Sequence, residues 1–516
     1  MKISHVATLT ACVASFTTVW AQDYTDALRF NSNEVLGTAR SQAMAGAFGA
    51  VGADLTSMSI NPAGMAVYRA TELGFTLGVN VVKDESEFFQ KKSNTDRVKV
   101  ALNQLGAGFS FGRMREAGGG AVAHNIFIGY NRLADFNNKQ SYEDAFSKNS
   151  LLDYFCMDEQ KLGSLTGGLA YDAYLTNDTT IRGTADKFTY NVWEEFVGDG
   201  VNPFFREDEA GDGLVHIRKR ITEDGSKGDI PIGYAVNISN KLYIGGSINI
   251  RTISYERNTI HSETFDGYTV NAGDPTEFSY LNHLDQDAAG VGFNLGVIYR
   301  PIPALRVGFA LHSPTFYSVS EKFWASVTNP ALRWPTVNSD EYEYDYKYRS
   351  PSRFVASVAA VFERIGMVSF DYERTNNQNS KFSVDNDDDY DYVTYNVYDD
   401  MNSMMKDEVF EASNTIRVGA ELSLLKPLYV RAGYRQTSNS VKKPFYVNKA
   451  ENYAYSGGLG FRRNNFFIDL TYVCAVKKND HWVLPDSAEP YTYETNSPAW
   501  LTQTAHSGVL TMGFRF

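Results

Sequence analysis

The sequence predicts an all-β protein: a 14-stranded antiparallel transmembrane β-barrel with an N-terminal hatch, or plug, in its lumen. Three observations predict this fold class. Apolar and polar residues alternate with period two in many segments, short connections alternate with long ones, and the chain begins with an export signal. The composition agrees, because 14% of the 516 residues are aromatic and 41 are glycine, which favours strands and turns over helices.

Residues 1–21 are predicted to be a signal peptide. Lys2 and His5 precede a mostly apolar stretch from Val6 to Val19, and Ala21 stands before the expected cleavage at Gln22. Lipoprotein cleavage at Cys12 is an alternative, although it would leave a very short apolar stretch. Loss of Lys2 changes the formal net charge from −13 to −14, and so acidic a chain is a poor candidate for nucleic-acid binding.

Residues 71–516 are predicted to form the barrel. In Thr415–Leu424, for example, every second residue from Ile416 onward is apolar and the residues between are polar or small. Fourteen such segments are predicted, near residues 72–83, 98–113, 123–136, 229–238, 241–257, 288–300, 304–314, 349–362, 365–376, 411–424, 427–438, 452–462, 466–477 and 506–516.

The connections favour a barrel over a β-sandwich. Short turns such as 238–241, 301–304 and 462–465 alternate with long loops, of which the largest is predicted over about residues 137–228. A sandwich also alternates apolar and polar residues, but it does not explain this order of connections. In a barrel the apolar set faces lipid, and the charged residues of the other set are expected in the lumen: Arg251, Arg306, Asp371, Glu373, Glu421, Arg431, Arg435 and Asp469.

Residues 22–70 are predicted to form the hatch. They do not alternate, and they contain a run of small residues from Ala43 to Ala50. A barrel of 14 strands is wide enough to need filling if it is not to leak. At the other end of the chain, Phe516 is expected on the lipid face, where a terminal aromatic residue is read by the outer-membrane assembly machinery. The expected location is the outer membrane of a Gram-negative cell, in contact with its lipids, and a monomer is expected.

Two N-terminal motifs carry a resemblance to a known family. Gly37-Thr38-Ala39-Arg40 is followed by the small-residue run and then by Ser59-Ile60-Asn61-Pro62-Ala63-Gly64-Met65. This arrangement resembles the FadL/TodX-type long-chain fatty-acid and hydrophobic-compound transporters, whose hatch carries an Asn-Pro-Ala triplet. The opening segment Asp26–Phe30 is similar to the Bacteroidetes branch, whose members are often labelled hemin receptors.

The resemblance implies ligand-gated passive diffusion. A hydrophobic or amphipathic ligand, most often a long-chain fatty acid, would meet a groove among the extracellular loops and then a tighter site near the hatch. It would leave sideways through a kink in the third strand, where Gly129 or Asn131 could interrupt the ladder.

The hatch motif also has a local interpretation. Pro62 fixes its own φ and keeps Asn61 out of the helical region. The Asn61 amide can then bond the local backbone, and Ala63 and Gly64 keep the turn thin against the barrel wall. An ordinary Asn-Pro turn is the alternative interpretation.

The long loop is predicted to capture the ligand. Its apolar side chains could form an exposed groove, or they could simply pack the loop against itself. The candidate ligand-binding residues are Phe146, Leu152, Phe155, Trp193 and Phe196.

Other classes of protein have less support. No set of Ser, His and Asp residues that would indicate an enzyme can be chosen from the sequence, no His pattern indicates a metal site, and no cofactor is expected. The acidic segment 385–400 lacks the spacing of a calcium loop. A surface receptor, for hemin for instance, an adhesin and a general porin remain as alternatives to a transporter.

Overall fold

A computed structural model describes residues 24–88, 91–112, 120–147, 150–162, 165–180, 187–191, 195–197, 200–202, 214–266, 275–363, 365–384, 392–425, 427–442, 450–481 and 499–516. The predicted signal peptide lies outside these residues.

Strands dominate the chain. The helices are α1 (Tyr24–Asn31), α2 (Ala39–Ala43), α3 (Ser57–Ile60), α4 (Leu151–Leu162), α5 (Leu165–Asp172) and α6 (Tyr392–Met404), with 3-10 helices at Pro62–Val67 and Asn377–Asn379 and a π-helix at Met405–Val409. The strands are β1 (Glu72–Phe88), β2 (Lys91–Phe111), β3 (Ala121–Asp135), β4 (Asn138–Ser147), β5 (Thr176–Thr180), β6 (Lys187–Asn191), β7 (Glu195–Val197), β8 (Gly200–Asn202), β9 (Leu214–Ile238), β10 (Leu242–Asp266), β11 (Glu277–Ile302), β12 (Leu305–His312), β13 (Phe316–Thr328), β14 (Thr336–Asn338), β15 (Tyr342–Arg349), β16 (Arg353–Phe362), β17 (Gly366–Thr375), β18 (Lys381–Val384), β19 (Ser413–Leu425), β20 (Leu428–Thr437), β21 (Glu451–Arg463), β22 (Phe466–His481) and β23 (Ala499–Arg515).

Nineteen of these described strands form a closed barrel, as predicted, whereas β5 pairs with β6 and β7 with β8 in two separate sheets. Neighbouring strands pair antiparallel around the sheet, and β1 pairs with β23 from Glu72 opposite Arg515 to Glu87 opposite Trp500. Four of the 14 spanning strands are each made of two pieces: β3 with β4, β12 with β13, β16 with β15, and β17 with β18. The count of 14 is therefore confirmed.

The outer surface carries an apolar belt. On β1 it consists of Leu73, Phe75, Leu77 and Val79, each more than 40% exposed. A bilayer needs only about 9–11 tilted residues per strand, whereas β11 has 26. The strands therefore continue well beyond the belt on the extracellular side.

The predicted loop of residues 137–228 is shorter in the structure. β4 and the first half of β9 occupy both its ends and pair with each other from Asn138 opposite Glu223 upward. The sequence hides this extension because strand residues above the belt have water on the outside and need no apolar alternation.

Residues 24–70 lie inside the barrel. α2 contacts β20, β21, β22 and β23, whereas the helix Pro62–Val67 contacts β3, β9, β10 and β11. The contacts of residues 24–70 thus reach two separate parts of the wall, and this segment fills the lumen between them. Among the described helices, none is long and apolar enough to cross a membrane.

Candidate functional site

The Asn61–Gly64 motif forms a buried turn. Asn61 is extended and fully buried; its side-chain oxygen accepts from the Ala63 amide at 3.1 Å and its nitrogen donates to the Gly49 carbonyl at 2.6 Å. Pro62 begins the 3-10 helix, where its missing amide proton costs nothing. The local interpretation of the motif thus agrees with its geometry.

Glycines of the wall let this turn approach the strands. A Cβ on Gly296 of β11 would lie 1.9 Å from the side-chain oxygen of Asn61, and one on Gly245 of β10 would lie 2.5 Å from the Pro62 carbonyl carbon. Gly64 itself faces Ser57 and Gly52 with no room for a Cβ. Gly245 and Gly296 therefore leave room for the motif against the wall.

A buried ionic network joins the segment to the opposite wall. Arg40 donates to both oxygens of Glu421, at 2.8 and 3.1 Å, and Arg431 links Glu421 to Asp469 at 2.6 Å each. Burial lowers the pKa of Arg40, but the charge of Glu421 and its hydrogen bonds outweigh burial and raise that pKa above its ordinary value. Arg40 therefore stays charged and anchors α2.

A tyrosine anchors the end of the segment in the same way. Tyr68 donates to Glu72 at 2.8 Å, and burial, reinforced by the negative charge of Glu72, raises the pKa of Tyr68 well above its ordinary value. The hydroxyl therefore remains a donor at physiological pH.

All eight charged residues predicted for the lumen face inward. Six of them are less than 10% exposed, Arg306 donates to the Val51 carbonyl, and Arg435 pairs with Glu34 at 3.0 Å. The Asp371 carboxylate accepts from the Gly49 amide at 2.8 Å. With Glu421, four of these eight charged residues thus bind the N-terminal segment directly.

A pocket lies at the C-terminal end of α1, where the seventh and eighth spanning strands are interrupted. Its accessible volume is about 20 Å³, roughly room for one water molecule. Its described lining contains Lys227, Arg251, Arg353 and His312 but no carboxylate; the other lining residues are Phe30, Asn31, Asn33, Ser313, Ser350, Pro351 and Thr375. The pocket is therefore cationic, with one aromatic ring at its edge.

Two of its cations have acidic partners behind the pocket. Arg353 lies 3.4 Å from Glu373, which also pairs with Arg417 at 3.0 Å, and Arg251 lies 3.4 Å from Asp229. Lys227 instead donates to the carbonyls of Phe30, at 2.7 Å, and Ser32, at 3.1 Å. It thus holds the negative end of the α1 dipole.

The wall is interrupted between β2 and β3. Their pairing runs from Phe111 opposite His124 to Gln104 opposite Asn131 and ends there, whereas β1 pairs with β2 up to Lys91. Beyond Asn131 the third strand bonds the N-terminal segment instead: Glu34 and Leu36 donate their amides to Leu133 and Arg132 at 2.6 and 2.7 Å. The third strand stops pairing with β2 at Asn131, which is one of the two residues proposed for a kink.

Buried polar groups without hydrogen-bond partners gather at this break. Among the described residues they include Asn103 Oδ1, Gln104 Nε2, Asn131 Oδ1, Arg132 Nε and Asn137 Nδ2. Such groups are rare unless water or a ligand satisfies them. The break therefore offers a polar lining within an otherwise closed wall.

Two of the predicted ligand-binding residues of the loop are buried and do not line an open groove. Leu152 and Phe155 of α4 are 0% and 1% exposed, in a packed cluster with Phe265, Phe278 and other residues of the extracellular rim. Phe146 lies on β4 and Phe196 on β7, whereas Trp193 lies outside the described residues. For Leu152 and Phe155 the packing interpretation fits the burial, because α4 needs an apolar face to bind the rim.

Of the basic residues that line the pocket, the sequence predicts a position in the lumen for Arg251 alone. Lys227 lies in the range predicted as loop, and Arg353 and His312 lie singly on separate strands. No spacing could bring them together, because the interruptions of two strands create the pocket. Within the described part of the chain, no group of three or more His, Cys, Asp or Glu side chains could hold a metal ion, and Cys156 and Cys474 are both free.

The fold and its filled lumen define a class of protein: an outer-membrane barrel for the passage of small molecules. Residues 229–507 match the family model of the outer membrane protein transport proteins (OMPP1/FadL/TodX). Since the match covers more than half of the sequence, the chain belongs to this family, which transports hydrophobic compounds and is not a family of enzymes. No curated protein matches the chain in sequence.

Solved structures support the fold. A Pseudomonas aeruginosa FadL homologue superposes with a TM-score of 0.54 at 10% identity, covering 93% of this chain and 98% of that one. The Ralstonia pickettii toluene transporter TbuX gives a TM-score of 0.50 at 14% identity, covering 94% and 100%. At these identities the similarity extends to the fold alone.

Proposed function

We propose that the protein carries amphipathic molecules with an anionic head group and a long apolar tail, most simply long-chain fatty acids, across the outer membrane by ligand-gated passive diffusion. One observation supports this substrate class above all: the buried pocket beside α1 is lined by three cationic side chains and no described carboxylate. Arg251 and Arg353 already pair with Asp229 and Glu373, whereas Lys227 donates to carbonyls. A carboxylate would therefore gain an ion pair with Lys227 that a neutral aromatic hydrocarbon could not form.

The position of the pocket supports gating. Lys227 holds the carbonyls at the end of α1, so an incoming carboxylate competes with the N-terminal segment for this side chain. The segment is the hatch in this proposal, and the break between β2 and β3 is the exit. The polar lining of the break suits a molecule that carries a polar head past the wall.

The processing of the chain belongs to the same proposal. Cleavage after Ala21 would leave residues 22–70 as the hatch, and the monomer would be inserted through recognition of Phe516, which is 69% exposed.

Equilibrium binding to protein held in amphipol tests the substrate class. Oleate is expected to bind at least tenfold more tightly than oleyl alcohol, because hydrogen bonds to a charged group contribute about 1.5–3 kcal/mol. Lys227→Met should abolish most of this preference, whereas Lys322→Met, at an exposed pair with Glu343, should keep it. Equal binding of acid and alcohol, or a preference for toluene, would refute the proposed substrate.

A further inference from the structure

The break between β2 and β3 is closed by charged side chains. Arg97 of β2 reaches across to β9, where it pairs with Asp224 at 2.8 Å and donates to the Glu223 carbonyl. Lys99 donates to the other oxygen of Asp224. These contacts take the place of the backbone ladder that β2 and β3 lack at this height.

These ion pairs are exposed to water and can break. The side chains of Arg97 and Lys99 are 26% exposed and that of Asp224 is 40% exposed. Ion pairs that water reaches are individually weak, so small changes in their surroundings decide whether they form. On the outer side of β2, Val98 and Val100 are 59% and 67% exposed, which places Asp224 near the upper edge of the apolar belt.

A chain of contacts leads from this ion pair to α1. Glu223, next to Asp224, accepts from the Tyr255 hydroxyl at 2.5 Å and from the Asn138 amide at 3.1 Å. The Arg29 guanidinium lies over the Tyr255 ring, 3.5 Å from its centre, and the same ring packs edge-on against Phe136, between β3 and β4. Arg29 belongs to α1, one residue before the carbonyl of Phe30 that Lys227 holds.

We propose that Arg97, Lys99 and Asp224 form a latch on the lateral opening, and that α1 controls this latch through Arg29 and Tyr255. An anion that takes Lys227 from the Phe30 carbonyl frees the end of α1 and withdraws Arg29 from Tyr255. The support of Glu223 and Phe136 then weakens, and β2 separates from β9. The nature of the triggering ligand rests on the function proposed above; the latch rests on these contacts alone.

Electron paramagnetic resonance distances test the latch directly. Spin labels at Asn94→Cys on β2 and Arg220→Cys on β9, both exposed sites, report the width of the opening in a Cys156→Ser, Cys474→Ser background. Asp224→Asn is expected to shift the distribution to longer distances without oleate. It should also raise the uptake of radiolabelled oleate by a Gram-negative host that lacks its own transporter, by about two- to tenfold.

Glu143→Gln is the matched control. Glu143 also joins β2, β4 and β9, through Lys91 at 2.8 Å and Arg218 at 3.1 Å. It lies six residues higher along the strand pair, about 20 Å above Asp224. This variant should leave distances and uptake unchanged. Equal effects of the two variants, or no effect of Asp224→Asn, would overturn the latch.

Two variants of Arg29 test the coupling. Arg29→Met is expected to give the wide distribution without oleate and no further change with it, whereas Arg29→Lys should behave as the native protein. Wild-type behaviour of Arg29→Met would overturn the coupling. If native protein neither binds nor takes up oleate while Asp224→Asn still widens the opening, the proposed substrate fails and the latch stands.

Discussion

Asn61 shows how one side chain can define a turn inside a barrel. It satisfies the Ala63 amide, the Gly49 carbonyl and, at 3.4 Å, the Phe309 carbonyl of β12, so it joins two parts of the N-terminal segment to the wall. Asparagine fits because it both donates and accepts from one planar group.

Asn61→Ala is expected to loosen the N-terminal segment without unfolding the barrel. The backbone groups left unpaired cost about 1–3 kcal/mol, a loss confined to the segment. Limited proteolysis should cut within residues 24–70 several-fold faster, and oleate uptake should change, while the heat-modifiable migration of the barrel on gels remains. Asn465→Ala, in an exposed turn, is the control. If the Asn61 variant is as protease-resistant and as active as native protein, the Asn61 side chain does not hold the segment in place and the motif serves only as a spacer.

At the scale of elements, glycines on the inward faces of the strands leave room for the N-terminal segment. Gly245, Gly296, Gly308, Gly419 and Gly433 each have backbone or side-chain atoms of this segment within 3 Å of a virtual Cβ. The many glycines thus shape the interior of the barrel as well as its turns.

Gly296→Ala is therefore expected to displace the Asn61 turn. Its new methyl group would overlap the Asn61 oxygen, and overpacking of this kind costs about 1–3 kcal/mol. Limited proteolysis should detect this displacement as faster cleavage within residues 24–70. Gly508→Ala on β23, whose Cβ would meet nothing within 4 Å, should leave the rate of cleavage unchanged. Similar rates for the two variants would mean that the turn adapts and that the close contact has no structural role.

The elements also show what the sequence could and could not predict. Strand number and the inward charges follow from the lipid, which forces apolar residues to alternate wherever a strand crosses it. Where strands rise into water, as in β4 and the upper half of β9, this constraint ends and so does the prediction. Lys227 lies near the middle of β9, just outside the strand predicted at residues 229–238. Its pocket depends on interruptions at residues 313–315 and 350–352 that alternation does not reveal.

At the scale of the whole molecule, the wall and the N-terminal segment use different sources of stability. Apart from the break between β2 and β3, the wall is closed by backbone pairing, and it has its own internal ion pairs, such as Arg431 with Asp469 and Arg417 with Glu373. The segment instead depends on contacts with the wall, such as Arg40 with Glu421 and Ser59 with Asp229 at 2.5 Å. The barrel should therefore fold without the segment, whereas the reverse does not hold.

Deletion of residues 24–60 is accordingly expected to leave a folded barrel with an open lumen. Circular dichroism should keep its β-sheet spectrum, because the wall keeps its hydrogen bonds. Planar bilayers should show large, steady conductance steps that the native protein lacks, since a lumen of 14 strands is wide enough for water and ions. Oleate selectivity should vanish, because Phe30 and the end of α1 complete the pocket. A folded deletion variant that stays electrically closed would show that the extracellular loops seal the lumen, and the hatch role of residues 22–70 would then be wrong.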